Sequence, residues 1–118
     1  MYGNAKTTDV TEIHILYIGR NILITETIVR LINRINDWKG VGTNDDAEAM
    51  VLFTSISFEI ILLGCGINEK EEIVLRSFFK AHNPEVRIIQ HYGGGSGLLY
   101  NEITAALANR SEITNFLS

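Results

Sequence analysis

The sequence is poor in the features that direct a chain to export, to a membrane or to nucleic acid. Its one cysteine, Cys65, cannot form an internal disulfide and suits a reducing cytoplasm. The longest apolar runs, such as residues 60–63, are far shorter than the roughly 20 residues that cross a bilayer. Residues 1–9 lack the apolar segment of a signal peptide. We therefore expect a cytoplasmic protein with no membrane partner.

Positive charge is also scarce. The chain has 10 lysines and arginines against 14 acidic residues, which gives a net charge of -4. Non-specific binding to nucleic acid needs a broad cationic surface, so no nucleic-acid partner is predicted. The remaining composition is that of a globular domain, with 46% apolar and 20% charged residues among 118. Residues 1–118 are predicted to form one domain, in which residues 1–11 are a flexible lead.

Apolar runs alternate with amphipathic segments along the chain. Residues 13–18, 58–63 and 86–91 are rich in β-branched and aliphatic side chains and predict buried strands, and residues 39–43 predict a weaker one. Apolar residues at helical spacing predict a first helix that ends at about Asp37. Two further helices are predicted to begin at the capping pairs Asp45/Glu48 and Asn68/Glu71. A last helix follows residue 97, and residues 111–118 fit either a helical turn or a short edge strand.

This alternation predicts the fold class. Four β-α units joined by short connections imply parallel strands with right-handed crossovers. We predict an α/β, three-layer, flavodoxin-like open parallel sheet of about four strands in the order 2-1-3-4, with helices on both faces.

Ligands of such sheets bind beyond the carboxyl ends of the strands, where the strand order reverses. This rule selects the loops after all four strands, including residues 44–46 after strand 2, and three of the four strands are followed closely by glycine. The candidate ligand-binding residues are Arg20, Asn21, Gly64, Cys65, His91, Gly93, Gly94, Gly95, Ser96 and Gly97.

Each candidate also has a purely structural interpretation. The glycine-rich segment 93–97 could hold an anion on its backbone amides, or serve only as a turning connection. Cys65 could be a nucleophile, but a buried small residue is the favoured interpretation. The three histidines show no shared metal-ligand spacing, and Asp45 and Asp46 suit a helix start. No metal, cofactor or catalytic set is predicted, which favours a binding module over an enzyme.

The element order and the segment 58–66 resemble the receiver (response-regulator) domain of two-component signalling, over roughly residues 12–108. Receivers carry an acidic pair after strand 1, a phosphate-accepting aspartate at the end of strand 3, a Ser/Thr after strand 4 and a lysine after strand 5. Here these places hold Gly19-Arg20-Asn21, Gly64 and His91-Tyr92, and no full fifth strand follows. The resemblance therefore implies a degenerate receiver that lacks the phosphoacceptor.

We accordingly predict a non-enzymatic receiver-like signalling or protein-interaction module that is not phosphorylated on aspartate. The alternative is a sensor of a small anionic ligand or nucleotide, or an enzyme, which uses the loops at the carboxyl edge. An uncovered edge on strand 4 is a pairing template. A homodimer through that edge or through the last helix is therefore predicted, and a separate protein partner is the other option.

Overall fold

The computed structural model describes the backbone of residues 12–91, 93 and 96–117, and the side chains of residues 12–91, 93 and 97–108. The predicted flexible lead, residues 1–11, lies outside this part of the chain. Strands and helices alternate in the predicted order. They are β1 (Ile13–Ile18), α1 (Ile22–Asn33), β2 (Trp38–Thr43), α2 (Asp46–Ser55), β3 (Ile60–Leu63), α3 (Glu69–His82), β4 (Arg87–Gln90) and α4 (Ser96–Leu117).

The four strands form one parallel sheet in the order β2-β1-β3-β4, which confirms the predicted order. The two central strands are those with the most continuous apolar runs, because a central strand is covered on both faces. Leu16 lies opposite Val41 of β2 and Ile61 of β3, and this register aligns the carboxyl ends of the strands at one edge.

Two apolar clusters make the three layers. Alternate side chains of β1 point to opposite faces, so Leu16 and Ile18 pack with α2 and α3 while Ile15 and Tyr17 pack with α1 and α4. Phe53 and Phe79 fill the first cluster, with ring centroids 4.8 Å apart. α4 is followed by no further strand in the described residues, and its Leu99 and Ile103 cover the face that α1 alone would leave open.

Helix ends differ from the prediction in two places. α1 ends at Asn33 rather than near Asp37, because the chain turns there and Asp37 adopts a left-handed φ of 77°. The capping box predicted for α2 is only half formed: Asp45 accepts the amide of Glu48, but Glu48 accepts the hydroxyl of Thr43 instead of closing the box. The box at Asn68 and Glu71 is confirmed, with both reciprocal hydrogen bonds present.

Residues 111–117 belong to a helix, which decides between the helical turn and the edge strand that the sequence allowed for this segment. α4 continues through Leu117, so residues 111–117 are helical and form no edge strand. Within the described residues β4 consequently pairs with β3 alone.

Candidate functional site

The carboxyl ends of the four strands bring most of the predicted site residues to one edge. Arg20 and Asn21 follow β1, Gly64 and Cys65 follow β3, and His91 follows β4. Backbone hydrogen bonds continue the sheet into these loops, since Gly64 N donates to Ile18 O at 2.7 Å and His91 N donates to Leu63 O at 2.8 Å. Gly93 also lies here, and Gly97 lies in the first turn of α4. Gly94 and Gly95 are outside the described residues, as is the side chain of Ser96.

The crevice between β1 and β3 is filled by an aromatic ring. Tyr17 is 1% exposed, and its ring lies against the backbone of Gly64 and Gly19. A Cβ placed on Gly64 would overlap Oη and Cζ of Tyr17 and lie 3.0 Å from Cε1, and one on Gly19 would lie 2.8 Å from Cε2. Glycine is required at both positions because of this close approach. Burial, and to a lesser degree the charge of Cys65, raise the pKa of the Tyr17 hydroxyl.

Arg20 is held in an ion-pair cluster. Its Nη1 lies 2.9 Å from Oδ1 of Asp46, its Nη2 lies 3.2 Å from Oε1 of Glu71, and it also donates to the carbonyl of Asn44. The hydrogen bond to Asp46 is the main cause that raises the pKa of Arg20. The pKa of Glu71 is lowered, first by the Asn68 amide and then by Arg20. The guanidinium is therefore occupied by internal carboxylates.

Two asparagines tie the loops together. Asn21 caps α1, since its side chain accepts the amide of Ile24 at 2.9 Å. Asn44 donates to Gly19 O at 2.6 Å and to Thr25 Oγ1 at 2.8 Å, and so links the loop after β2 to the loop after β1. Asn21 thus performs a structural task at the predicted site. Asn44 lies in a loop that the sequence placed at this edge, but it was not among the candidate ligand-binding residues.

The favoured interpretation of Cys65 as a buried residue is wrong. The thiol is exposed, because the turn through Gly64 and Gly66 carries it outward. Gly66 has a φ of 90°, and a Cβ there would lie 2.7 Å from Cβ of Arg20. The loop is thus packed closely under Arg20, and Cys65 takes the position that faces solvent.

His91 is almost fully buried, at 3% exposure. Its Nδ1 lies 2.5 Å from Oε1 of Glu102 on α4. Its Nε2 is buried and has no hydrogen-bond partner within the described part of the chain. Glu102 was not predicted as a site residue, because the pairing follows from how α4 returns onto the sheet rather than from any sequence motif.

A cavity of about 380 Å³ opens at this edge on the α1 face of the sheet. Tyr17, Cys65, His91 and Gly93 line one side of it, and apolar residues of α1 line the other. Leu23 at its mouth is 74% exposed. The sequence predicted Cys65, His91 and Gly93 as site residues but not Tyr17. It did not indicate the contribution of α1, whose stripe predicted only core packing.

Solved structures that are similar to the chain include three that we compare with it. The signal receiver domain of an HD domain-containing protein from Pseudomonas fluorescens Pf-5 matches with a TM-score of 0.73 and 12% identity, over 86% of this chain and 98% of that chain. The chain has a receiver-like fold. The RcsB response regulator of Salmonella typhimurium matches with a TM-score of 0.57 and 14% identity, over 70% of this chain and 42% of that chain. A putative pilus assembly-related protein from Burkholderia pseudomallei K96243 matches with a TM-score of 0.57 and 15% identity, over 81% of this chain and 73% of that chain. No family model and no curated protein matches the sequence.

Among the side chains described, no group of three or more His, Cys, Asp or Glu is placed to hold a metal ion. None of the helices in the described part of the chain is long and apolar enough to span a membrane.

Proposed function

We propose that this protein is a non-enzymatic receiver-like signalling module that is not phosphorylated on aspartate and that acts by pairing with a second copy of itself. The fold supports the class of function, because the similar structures include a signal receiver domain and a response regulator. The observation that carries the absence of aspartyl phosphorylation is the contact between Tyr17 and Gly64.

Aspartyl phosphorylation needs a carboxylate nucleophile and a divalent cation on oxygen ligands. The end of β3 carries Gly64, and Tyr17 leaves no space there for a side chain. The cationic charge at this edge is supplied by Arg20, which already bridges Asp46 and Glu71. A magnesium ion would have to compete with that guanidinium for the same carboxylates. The ion pairs with Asp46 and Glu71 also disfavour Arg20 as the residue that binds an anionic ligand.

Treatment with acetyl phosphate and magnesium tests this part of the proposal. Intact-mass spectrometry of the whole chain should show no added phosphoryl group, while a phosphorylatable receiver treated in parallel gains one. Magnesium alone should not raise the melting temperature of the protein. Arg20→Ala should make the melting temperature respond to magnesium, because it frees Asp46 and Glu71. A phosphoryl group on any aspartate of the treated wild-type protein would refute the proposal.

The edge of β4 supports self-pairing. Amides of Arg87 and His91 point to β3, so by alternation those of Ile88 and Gln90 point away from the sheet. Arg87 Nε is buried and has no hydrogen-bond partner in the described residues, and an added strand could bring an acceptor to it.

The opposite edge of the sheet is already blocked. Asn33 of α1 accepts the amide of Gly40 at 2.8 Å and donates to its carbonyl at 3.2 Å. These two bonds occupy both outward backbone groups of Gly40, near the middle of β2, which a second strand would need. A second copy can offer the same open β4, and two such edges can pair about a twofold axis.

Light scattering after size exclusion tests the pairing. The wild-type protein should have the mass of a dimer at high micromolar concentration. Gln90→Pro removes one outward amide without breaking the bonds to β3, and should shift the equilibrium to monomer. Gln90→Lys, which places a charge on the edge, should do the same if the proline variant does not fold. Asn33→Ala changes the opposite edge and should leave the dimer intact.

A wild-type protein that stays monomeric at that concentration would overturn the pairing. A dimer that survives both Gln90 variants would also overturn it, and would move the interface to another surface such as α4.

A further inference from the structure

A groove lies at the open edge of the sheet, where α3, β4 and α4 meet. It has a volume of about 300 Å³, and β4 contributes Ile88 and Ile89 to its lining. Three cationic side chains line it as well, which are Arg76 and Lys80 from α3 and Arg87 from β4. No acidic side chain is among the described residues of this lining. The groove therefore concentrates positive charge on a protein whose net charge is -4.

The contacts of these cations within the fold compensate only part of their charge. Nε of Arg76 lies 2.7 Å from Oε2 of Glu72, which forms an ion pair. The ammonium group of Lys80 donates to two backbone carbonyls just before β4, which carry no net charge. Nε of Arg87 has no hydrogen-bond partner within the described part of the chain. These contacts thus supply a carboxylate to Arg76 alone.

Pairing through β4 would bring two such grooves together. Two copies that extend one sheet about a twofold axis keep both α3 helices on the same face. α3 shares the first apolar cluster with β3 and β4, so about two strand spacings, or roughly 10 Å, would separate it from its counterpart. Helices at that distance are in side-chain contact. Arg76 and Lys80 of one copy would then face the same residues of the other.

Like charges in such an arrangement repel each other, and a multivalent anion between them removes the repulsion. Phosphate suits this role, because its oxygens accept charge-assisted hydrogen bonds from guanidinium and ammonium groups. We propose that the groove binds a multivalent oxyanion, such as phosphate, through Arg76, Lys80 and Arg87, and that this anion stabilises the pair of copies. This regulation rests on the proposed self-pairing through β4, whereas a single copy already contains the anion site.

A titration with inorganic phosphate tests the site on the full chain in its monomeric form. Gln90→Pro, which should not pair, is titrated with phosphate while sodium chloride keeps the ionic strength constant; Gln90→Lys takes its place if the proline variant does not fold. The Nε–H resonances of Arg76 and Arg87 should show saturable NMR shifts. Arg20 is the internal control, because two carboxylates already hold its guanidinium, and its resonance should not move.

Sedimentation velocity tests the regulation on the wild-type protein. At matched ionic strength, the dissociation constant of the dimer should be about tenfold lower in phosphate than in chloride, which corresponds to about 1.4 kcal/mol. Lys80→Gln and Arg87→Gln should each tighten the dimer in chloride, because each removes a repelling charge, and should lose most of the response to phosphate. Lys39→Gln is the matched control: it neutralises an exposed lysine on β2, at the opposite edge, and should keep the full response.

The outcomes separate this inference from the proposed self-pairing. The absence of saturable shifts at Arg76 and Arg87 would overturn the anion site. A wild-type dimer with equal dissociation constants in phosphate and chloride would overturn the regulation and leave the self-pairing intact, since any effect of ionic strength would then be screening alone. A protein that is monomeric in both salts would overturn the self-pairing and its regulation together, while the shifts in Gln90→Pro would still decide the site.

Discussion

Replacement of Gly64 by alanine tests the close approach that underlies the proposed function. The added methyl group would overlap the hydroxyl end of the Tyr17 ring. The ring cannot swing outward freely, because Tyr17 is 1% exposed and belongs to the cluster under α1 and α4. Gly64 does not have a positive φ, so alanine is compatible with its backbone conformation and only the overlap opposes it.

The expected cost follows from that overlap. Overpacking of a core destabilises by about 1–3 kcal/mol. The contact joins a backbone position to a rigid ring, so we expect about 3 kcal/mol, at the upper end of that range. For a domain of this size, such a loss lowers the melting temperature by roughly 10 °C. Urea unfolding followed by circular dichroism measures the free energy of unfolding directly.

A double-mutant cycle isolates the contact. Tyr17→Leu alone should cost about 2–3 kcal/mol through lost packing. In that background Gly64→Ala should be nearly neutral or stabilising by up to about 1 kcal/mol, because alanine restricts the unfolded chain. The coupling energy should therefore be about 3 kcal/mol. Gly97→Ala is the matched control: no atom lies within 4 Å of its added Cβ, so it should stabilise α4 by up to about 1 kcal/mol.

The close approach is refuted if the free energy of unfolding of Gly64→Ala lies within about 0.5 kcal/mol of the wild-type value, which is the range of ordinary surface substitutions. It is also refuted if Gly64→Ala lowers the free energy of unfolding by the same amount in the wild-type and the Tyr17→Leu backgrounds. Either result would mean that the crevice has room for a side chain, and the argument against an aspartate at this position would be lost.

Three further outcomes are expected. Asn68→Ala should cost about 1 kcal/mol in urea unfolding, because it removes the acceptor of the cap on α3. The pKa of Glu71 is lowered in the folded protein, so its carboxylate stabilises the fold at pH values above the ordinary pKa of 4.5. This stability is lost as the pH falls through the lowered pKa. Glu71→Gln should therefore make the free energy of unfolding depend less on pH on the acid side. The pKa of Tyr17 is raised in the folded protein, so its neutral hydroxyl contributes stability that is fully present at pH values below the ordinary pKa of 10.0 and is lost as the pH rises through the raised pKa. Ultraviolet titration should show a tyrosine that ionises late, and this step should be absent in Tyr17→Phe.

Local patterns were sufficient for the architecture. The aliphatic runs of β1 and β3 indicated strands covered on both faces, and the alternation with helical stripes implied parallel pairing. The order 2-1-3-4 followed from these features and is the order observed. Helix ends were less predictable where two local bonds compete: Glu48 had the spacing to close a capping box, yet its carboxylate accepts the hydroxyl of Thr43.

The location of the candidate site also followed from the sequence, because parallel strands bring their carboxyl ends to one edge. Its chemistry did not. Arg20 looked free to meet an anion, but Asp46, 26 residues away, holds it in an ion pair. As a small apolar residue, Cys65 was expected to be buried, but the turn between Gly64 and Gly66 exposes it.

The sequence by itself determined the number, order and pairing of the elements, because these depend on the period of apolar residues along short segments. Only the tertiary structure decided which side chains meet at the carboxyl edge. The ring of Tyr17 fills the space above Gly64, and Glu102 of α4 pairs with one ring nitrogen of His91, while the other is buried without a hydrogen-bond partner in the described residues. Such contacts depend on the directions of side chains from elements distant in the sequence, which no periodicity records.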